Sequence, residues 1–384
     1  MLDAQAIQEL RAAVQQRTIE DMHILDEMRE EIRSIRGSVR TIKPRSTTSV
    51  SLVASDGGNN SLEFDPFSFE LVRVVDSHGS QLCFDVVSPA TDTDALSQAQ
   101  FDSAGRPVTA LGRMMLGLGI SSRRLSDLSP MIPRAAGPSS WVSVYRDLNE
   151  WAVLWDLIVN NPFPTDTLVI RDGLLRSKVF TRNLFMKMAD QLKAAIDEIW
   201  QKSRRRVYLV GIAKHSSVLT RYHLAMAVER LMAPGDPRYV EIPRSIEEKS
   251  YAWKEWARGR DDTPAGSAGA GEEPKFVAGR LFLVRFGART GDPVWAIDLF
   301  QPQAKAADEV MGYLLGDAVC GFPVPLYPRC LQKAHEYAQV VDFDQEILQE
   351  EIFRAVRNRL KGSGQAAIDE FRLRQDVAGR RYAK

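Results

Sequence analysis

The sequence has few of the residues that build disulfide frameworks and transition-metal sites. Its 384 residues include three cysteines, Cys83, Cys320 and Cys330, and five histidines. The cysteines show no paired spacing, so the sequence predicts neither a disulfide framework nor a zinc motif. With so few histidines, we do not expect a histidine-rich metal cluster.

Net charge and long hydrophobic runs are also missing. Lys and Arg number 50, as do Asp and Glu, so the formal net charge is zero. The chain therefore has no overall positive charge that would indicate nucleic-acid binding. A local basic surface is still compatible with this composition. No apolar run approaches the roughly 18 residues of a membrane helix, and the first residues lack a signal-like apolar stretch. We expect a soluble, cytoplasmic protein with no membrane partner.

The order of hydrophobic patterns predicts an α/β fold. Three strand candidates (50–54, 69–75 and 81–87) come first, and the last two form a hairpin. A helix over 141–159 precedes two fully apolar strands, 167–170 and 207–212, which a helix over 180–200 separates. Such a strand–helix–strand unit makes the two strands parallel. Three antiparallel strands followed by parallel ones is the order of a ribonuclease H-like mixed sheet, here with added N- and C-terminal helices.

The remaining segments predict three regions. A helical segment, 1–40, either caps the domain or contacts a second copy or a partner. The main domain spans 48–345, with loop-rich insertions near 91–140 and 258–278 and a second hairpin, 280–286 with 294–300. A C-terminal helix and basic tail occupy 346–384.

Two carboxylates stand where apolar strands are predicted to end. Asp56 follows the first strand, and we expect Gly57-Gly58 to turn the backbone there. Asp172-Gly173 follows the strand 167–170 in the same way. If the two strands are neighbours in one sheet, Asp56 and Asp172 can meet at one metal site. The alternative is that each Asp-Gly pair only makes a turn.

Basic residues surround the predicted parallel unit. Lys214 ends the strand 207–212, where a point charge can neutralise a phosphate. Arg171, Arg176 and Lys178 follow or flank the strand 167–170, and further arginines lie at 182 and 204–206. Phosphate contacts of this kind are independent of sequence. These residues predict a DNA-contacting surface, with an ordinary solvated surface as the alternative.

Five motifs in chain order resemble those of the NurA nucleases, the partners of HerA hexameric DNA translocases. They are Asp56-Gly57, Glu150, Asp172-Gly173-Leu174-Leu175, Gly211-Ile212-Ala213-Lys214 and Tyr327-Pro328-x-x-Leu331-x-x-Ala334-His335. The last motif is the most specific, because a Tyr-Pro that opens a helix with Ala-His further along has no common structural reason. The motifs together span residues from about 50 to 340.

The resemblance implies a metal-dependent DNA nuclease that hydrolyses phosphodiesters with two cations, Mn²⁺ or Mg²⁺. One cation activates water and the other stabilises the leaving oxygen. The implied enzyme is a homodimer docked on a HerA-type ATPase, in DNA end resection or anti-phage defence. The implied catalytic residues are Asp56, Glu150, Asp172, Lys214, Tyr327 and His335. Among them, Asp56, Asp172, Glu150 and His335 would hold the metal, and Lys214, Arg171, Arg176 and Lys178 would contact DNA.

Several alternatives stay open at individual residues. Asp156 and Asp147 lie on the same predicted helix as Glu150, and Asp156 is its rival as the helical carboxylate. His335 is also compatible with an ordinary amphipathic helix, and Tyr327 with a packed core.

The chain departs from the family at two positions. Gly58 and Leu174 stand where the Asp-Gly motifs usually continue with Ser, so a hydroxyl is missing at both. This leaves a catalytically inactive dimeric adaptor that binds DNA and the ATPase as an alternative. An actin-like ATPase shares the sheet order, but the sequence shows no second glycine-rich phosphate loop. Exonuclease against endonuclease action, strand preference and polarity, and the physiological metal also stay open.

Overall fold

A computed structural model describes most of the chain. It covers residues 3–46, 50–64, 67–134, 140–250, 276–339, 342–362, 364–368 and 370, with backbone alone at Ala4, 50–64, 67 and 342–346. The strands are β1 Arg40–Thr41, β2 Val50–Phe64, β3 Phe67–Asp76, β4 Gln81–Val87, β5 Asp166–Asp172, β6 Val207–Ala213, β7 Arg238–Glu241, β8 Gly279–Arg285 and β9 Trp295–Phe300. Most of the insertion expected near 258–278 lies outside these residues, as does most of the basic tail.

Eleven α-helices accompany these strands in the described residues. They are α1 Ala4–Ile35, α2 Thr93–Gln98, α3 Ala110–Gly117, α4 Leu125–Leu128, α5 Ser140–Asn160, α6 Leu184–Ser203, α7 Ser217–Val228, α8 Arg244–Ser250, α9 Ala307–Ala318, α10 Arg329–Ala338 and α11 Asp342–Arg359. Helix α9 continues a short 3-10 segment, Gln301–Ala306. None of the helices described is long and apolar enough to cross a membrane.

All nine strands belong to one mixed sheet, in the order β1-β7-β8-β9-β6-β5-β2-β3-β4. Strands β2, β3 and β4 pair antiparallel, and β2, β5 and β6 pair parallel. The predicted order of antiparallel and then parallel strands is confirmed, as is the hairpin of β8 and β9. Strands β1 and β7, which are short and lie at one edge of the sheet, were not predicted from the sequence.

The central strands are buried on both faces, as their apolar sequences predict. In β5, Val169 belongs to a core with α5, α6 and the helices of the 91–134 region, whereas Leu168 and Ile170 face α9 and α10. The alternation follows from the two-residue period of a strand. Helices α1, α7 and α8 form a third cluster with strands β7, β8 and β9. The middle of β5 is therefore held between two packed layers.

One sequence prediction about the strands needs correction. Strand β2 does not turn at Gly57-Gly58, which pair with Val74 and Arg73 of β3 within a strand that runs on to Phe64. The antiparallel partner β3 is long enough to continue the pairing after the parallel partner β5 has ended, so two glycines do not break the strand. The 91–140 region contains three short helices, α2, α3 and α4, joined by loops, and it buries apolar side chains such as Leu111.

Helix α1 has a C-terminal part that is packed and an earlier part that is exposed. Met28, Ile32 and Ile35 pack into the cluster with α7, so the C-terminal part of α1 covers the domain. Nearer its start, Leu10 and Val14 are exposed, at 51% and 54% of their surface. Contact of this exposed part with a second copy or a partner stays a prediction.

Candidate active site

Asp56 and Asp172 occupy neighbouring positions in the sheet. Ser55 pairs with Arg171 in the parallel register of β2 and β5, so the two aspartates are the next residues of adjacent strands. Adjacent strands lie about 4.8 Å apart. The prediction that these strands are neighbours is confirmed. The side chain of Asp56 lies outside the described residues, and its contact with Asp172 stays a prediction.

The Asp172 carboxylate faces a hydroxyl and a cation. The Tyr327 hydroxyl donates to Oδ1 at 3.2 Å, and Lys214 Nζ lies 3.4 Å from Oδ2. Lys214 Nζ is also 5.2 Å from the centroid of the Tyr327 ring, over its face. The Asp172 and Lys214 side chains are 18% and 37% exposed. Solvent, and hence a ligand, can reach both charged groups.

Tyr327 is positioned by the proline-rich segment that leads into α10. Its ring packs on Trp295 of β9 with centroids 4.8 Å apart, and it is 1% exposed. The Gln332 amide donates to the carbonyls of Tyr327 and Val324 at 2.8 and 2.9 Å, which ties the entry of the helix to its first turn. The Tyr-Pro motif therefore has a packing reason, which the sequence did not reveal.

Glu150 approaches this end of β5 through Arg171. The Arg171 Nη2 lies 2.9 Å from the Glu150 carboxylate and 2.7 Å from that of Asp147. Its guanidinium also covers the ring of Trp151, 4.6 Å from the centroid. Arg146 is within 3.5 Å of Glu150 on the same helix. Asp147 and Glu150 are thus both paired with Arg171, the residue that precedes Asp172 in β5.

Asp156, the rival of Glu150, is held elsewhere. Both its oxygens accept from Arg113 of α3, at 2.6 and 2.7 Å. Burial tends to raise the pKa of Asp156, but the hydrogen bonds from Arg113 and Asn160 outweigh it and the net pKa is lowered. Because this pair joins α5 to the 91–134 region, Glu150 is the better placed of the two.

His335 lies on the exposed side of α10. Its ring Nε2 is 2.8 Å from the side-chain nitrogen of Gln339, one turn further on. The neighbouring Leu331 and Ala334 are fully buried. The helix packs over β2 and β3, so His335 is on the element that covers the strand of Asp56.

Two glycines allow the chain to pass closely behind Asp172. Gly173 has φ +111°, a conformation that favours glycine, and its N–H donates to the carbonyl of Ile212 at 2.7 Å. A Cβ on Gly211 would lie 2.5 Å from the Gly173 carbonyl oxygen. The Gly211-Ile212-Ala213-Lys214 motif therefore includes a position that close packing restricts to glycine.

The structure argues against two of the predicted DNA contacts. Arg176 is 7% exposed, and its guanidinium bonds to Asp298 and Glu247. Arg171 is equally buried and is paired with the carboxylates of α5. A phosphate would have to displace those carboxylates to reach either arginine. Lys178 is exposed and Lys214 partly so, which is compatible with the prediction for both.

The arginines at 204–206 lie at the opposite end of β6 from Lys214. A strand rises about 3.3 Å per residue, so the seven residues of β6 separate the two by roughly 20 Å. Arg204 and Arg206 lie over the ring of Trp200, and Arg206 pairs with Glu309. These arginines do not belong to the surface around Asp172.

The donor atoms can be compared with the needs of a cation. Among the side chains that the structure describes, no three His, Cys, Asp or Glu residues group as metal ligands. A magnesium-type site uses one or two carboxylates, with water and substrate phosphate as further ligands. Asp172 supplies one carboxylate, and the register places Asp56 beside it. The Asp172 carboxylate, the described member of this pair, is of the kind that such a site uses.

Sequence reasoning missed the buried charges that support the site. Asp298 is fully buried in β9, where it bonds to Arg176 and to the N–H of Leu175. A single aspartate inside the otherwise apolar run Trp295–Phe300 was the available signal, since a buried charge needs a partner. Its partner, Arg176, was assigned instead to the DNA surface.

Comparisons with known proteins give one kind of match. No protein-family model matches the chain, and no curated protein does. Among solved structures, the chain is similar to the NurA nuclease from Sulfolobus solfataricus, with 12% identity and a TM-score of 0.39 over 94% of this chain and 99% of that one. A NurA bound to dAMP and manganese gives 12% identity and a TM-score of 0.42, over 96% of this chain and 100% of that one. We base no functional conclusion on these similarities.

Proposed function

We propose that this protein is a divalent-metal-dependent DNA nuclease that hydrolyses phosphodiester bonds beside the end of β5. The observation that carries the proposal is the set of groups around Asp172. A partly exposed carboxylate is bonded to Tyr327 and faces Lys214, and a second aspartate, Asp56, occupies the adjacent register position. Carboxylates that hold a cation and a lysine that neutralises a phosphate are groups that metal-dependent phosphodiester hydrolysis can use.

Each residue of the site has a distinct role in this proposal. Asp56 and Asp172 hold the cations, and the Tyr327 hydroxyl orients the Asp172 carboxylate. Lys214 exchanges Asp172 for the scissile phosphate when DNA binds. Bound Mn²⁺ or Mg²⁺ supplies activation of the attacking water and stabilisation of the leaving oxygen. The choice of these cations follows from the motif resemblance to NurA nucleases.

Glu150 and His335 complete the proposed ligand set. The Glu150 carboxylate contacts Arg171, the residue before Asp172, and it would have to leave that arginine to bind a cation. His335 lies on the helix that covers β2, where its imidazole would serve as a metal ligand or a phosphate contact.

The strand order supports this assignment. Strands β4, β3, β2, β5 and β6 are consecutive in the sheet, with β2 and β5 parallel at the centre. We propose that this order is ribonuclease H-like, an arrangement in which the carboxylates of the two central strands would lie side by side. We therefore treat residues 48–345 as the nuclease domain, with 346–384 as an added helix and tail.

DNA, a second copy of the chain and a HerA-type ATPase are the proposed partners, in end resection or anti-phage defence. The exposed apolar residues Leu10, Val14 and Ile19 of α1 offer a surface for the second copy or the ATPase. Leu10→Lys with Val14→Lys should then lower the molar mass measured by light scattering, or abolish ATPase binding. A double variant that keeps both properties would contradict this role for α1.

The proposal is tested by cleavage of end-labelled single- and double-stranded DNA. Wild type should cut with Mn²⁺ or Mg²⁺ and not with EDTA, and Asp56→Asn should not cut. Product lengths would show exonuclease or endonuclease action. The test should be run with and without a HerA-type ATPase. No cleavage by wild type under any of these conditions would refute the proposal.

The inactive adaptor is the second candidate, and one observation favours it. Arginine and lysine already occupy the positions where cations would bind, at Glu150 and at Asp172. An adaptor would bind DNA and the ATPase without cutting, and Asp172→Asn would leave both affinities unchanged.

A further inference from the structure

The loop that follows Asp172, residues 173–177, is held by hydrogen bonds to its backbone. Its first N–H, at Gly173, donates to a carbonyl of β6 at 2.7 Å. The N–H of Leu175 donates to Asp298 Oδ2 of β9 at 3.0 Å. The N–H of Ser177 donates to the carbonyl of Phe276 at 3.0 Å. Three separate parts of the chain therefore fix this short loop.

Asp298 is the buried centre of this arrangement. Its carboxylate accepts from Arg176 Nη2 at 2.7 Å and from Nε at 3.0 Å. Arg176 Nη1 donates to Glu247 at 2.6 Å, and Glu247 pairs with Arg244 at 2.8 Å. Burial raises the pKa of the Asp298 carboxyl, and Arg176 opposes that rise. Four alternating charges thus balance each other across the loop, β9 and α8.

Glycines on β8 and β6, the two strands that neighbour β9, provide the space that this arrangement needs. A Cβ on Gly279 of β8 would lie 2.6 Å from Cβ of Asp298. A Cβ on Gly211 of β6 would lie 2.8 Å from the nitrogen of Leu175, the same N–H that bonds to Asp298. Both strands therefore leave room for Asp298 and the loop to meet.

We propose that Asp298 and Arg176 are positioning residues, which clamp the loop after Asp172 and thereby hold the Asp172 carboxylate in place for cleavage. This inference rests on the proposed function. Neither residue touches substrate in this account, since both are buried. They act through the backbone of residues 173–177.

The clamp has a physical reason at this point of the sheet. Asp172 is the last residue of β5, and the ends of regular elements open most readily. A displacement of about 1 Å in a catalytic group can cost roughly 100-fold in rate. Burying Asp298 and Arg176 is costly unless the pair is well bonded. A role in holding the active-site strand end explains why the pair lies directly behind Asp172.

The first test removes the negative charge of Asp298 and keeps the shape of its side chain. Asp298→Asn should lower kcat for DNA cleavage by at least about tenfold, the range for loss of a supporting partner, with KM for DNA unchanged. It should also weaken Mn²⁺ binding, measured by electron paramagnetic resonance without DNA. Amide exchange at Leu175 should become faster. Arg176→Lys keeps the positive charge, so it should show smaller losses of kcat, Mn²⁺ binding and Leu175 protection than Asp298→Asn.

A second variant and a control separate positioning from general destabilisation. Gly211→Ala leaves the buried charges intact but displaces the loop from the other side, so it should lower kcat as well. Glu229→Gln removes a less buried carboxylate that also pairs with two arginines, Arg29 and Arg33 of α1, away from β5. The melting temperature of this control should be lower than that of wild type. At a temperature where the control is folded, its kcat and its Mn²⁺ affinity should equal those of wild type.

The outcomes distinguish this inference from the proposed function. If wild type cuts DNA and folded Asp298→Asn cuts with the same kcat and Mn²⁺ requirement, the positioning role is wrong and the nuclease function stands. The same holds if Leu175 exchange is unchanged in Asp298→Asn. If wild type cuts no DNA, the nuclease proposal fails and the catalytic role of the clamp fails with it. Faster Leu175 exchange in Asp298→Asn would then show a purely structural clamp.

Discussion

The Tyr327 hydroxyl donates a hydrogen bond to Oδ1 of Asp172, 3.2 Å away and 155 residues earlier in the chain. Asp172 ends a central strand, and Tyr327 comes from the segment that enters α10 on one face of the sheet. The contact joins two of the motifs found in the sequence. It also fixes the direction of the carboxylate that we assign to the metal.

Removing this hydroxyl should slow cleavage with little loss of stability. Tyr327→Phe keeps the ring that packs on Trp295 and loses the hydrogen bond to Asp172. We expect cleavage to fall by about 10-fold, the lower end of the range for a partner of a metal ligand. Single-turnover cleavage at saturating Mn²⁺ measures this effect.

Tyr313→Phe is the matched control, because Tyr313 is also buried and bonds to Glu309 on its own helix at 3.3 Å. It should cut at the wild-type rate. Equal rates for the two variants would show that the Tyr327 hydroxyl has no part in the reaction.

Substitutions of the two carboxylates of α5, Glu150 and Asp156, should have different effects on cleavage. Glu150→Gln should reduce cleavage by at least about tenfold, because Glu150 lies beside Arg171 and the end of β5. Asp156→Asn should leave cleavage intact and lower stability by up to about 1 kcal/mol, since its pair with Arg113 is partly exposed. Cleavage rates and thermal melts of both variants test this, and loss of cleavage in Asp156→Asn alone would reverse the assignment.

Lys214 should contribute to DNA binding through its charge. Lys214→Gln should weaken binding of single-stranded oligonucleotides equally for all sequences. The slope of log affinity against log salt should fall by about 1, as for one lost phosphate contact. Fluorescence anisotropy in EDTA measures this without cleavage. Lys193→Gln is the control, because Lys193 is exposed and pairs with Asp197 on α6; an identical slope for both variants would exclude the contact.

The stability that Glu229 adds between α1 and α7 should be lost at acid pH. Hydrogen bonds from Arg33 and Arg29 lower the pKa of Glu229 from 4.5 to about 2. A lowered folded-state pKa adds stability above pH 4.5, and this contribution is lost as the pH falls towards 2. Wild type should therefore melt higher than Glu229→Gln at neutral pH, and the difference should shrink in that acid window. A difference that is constant with pH would contradict the assignment.

The fold could be predicted from the sequence where local pattern determines it. The apolar runs of β5 and β6 and the helix between them gave a parallel pair, which the structure has. The turn expected at Gly57-Gly58 was wrong because pairing with β3 extends through these residues. Local turn preference is outweighed there by a partner strand that the local sequence cannot reveal.

The candidate site could be predicted only in part, for a similar reason. Motif order indicated Asp172, Lys214 and Tyr327, and these three lie together. The positions of Arg171 and Arg176 could not be read from composition, because a basic residue beside a strand end can face solvent or a buried carboxylate. Asp298, which pairs with Arg176 from a strand 122 residues away, shows how a long-range contact decides between the two.

The most direct test of the central claim compares two aspartates at opposite ends of β5. Asp172→Asn removes the proposed metal ligand, whereas Asp166→Asn alters the first residue of the same strand, which accepts from the Arg206 N–H at 2.9 Å. Cleavage of end-labelled DNA with Mn²⁺ should fall by at least about 100-fold in Asp172→Asn and stay at the wild-type rate in Asp166→Asn. If folded Asp172→Asn cuts DNA as fast as Asp166→Asn, Asp172 is not the metal ligand of this protein.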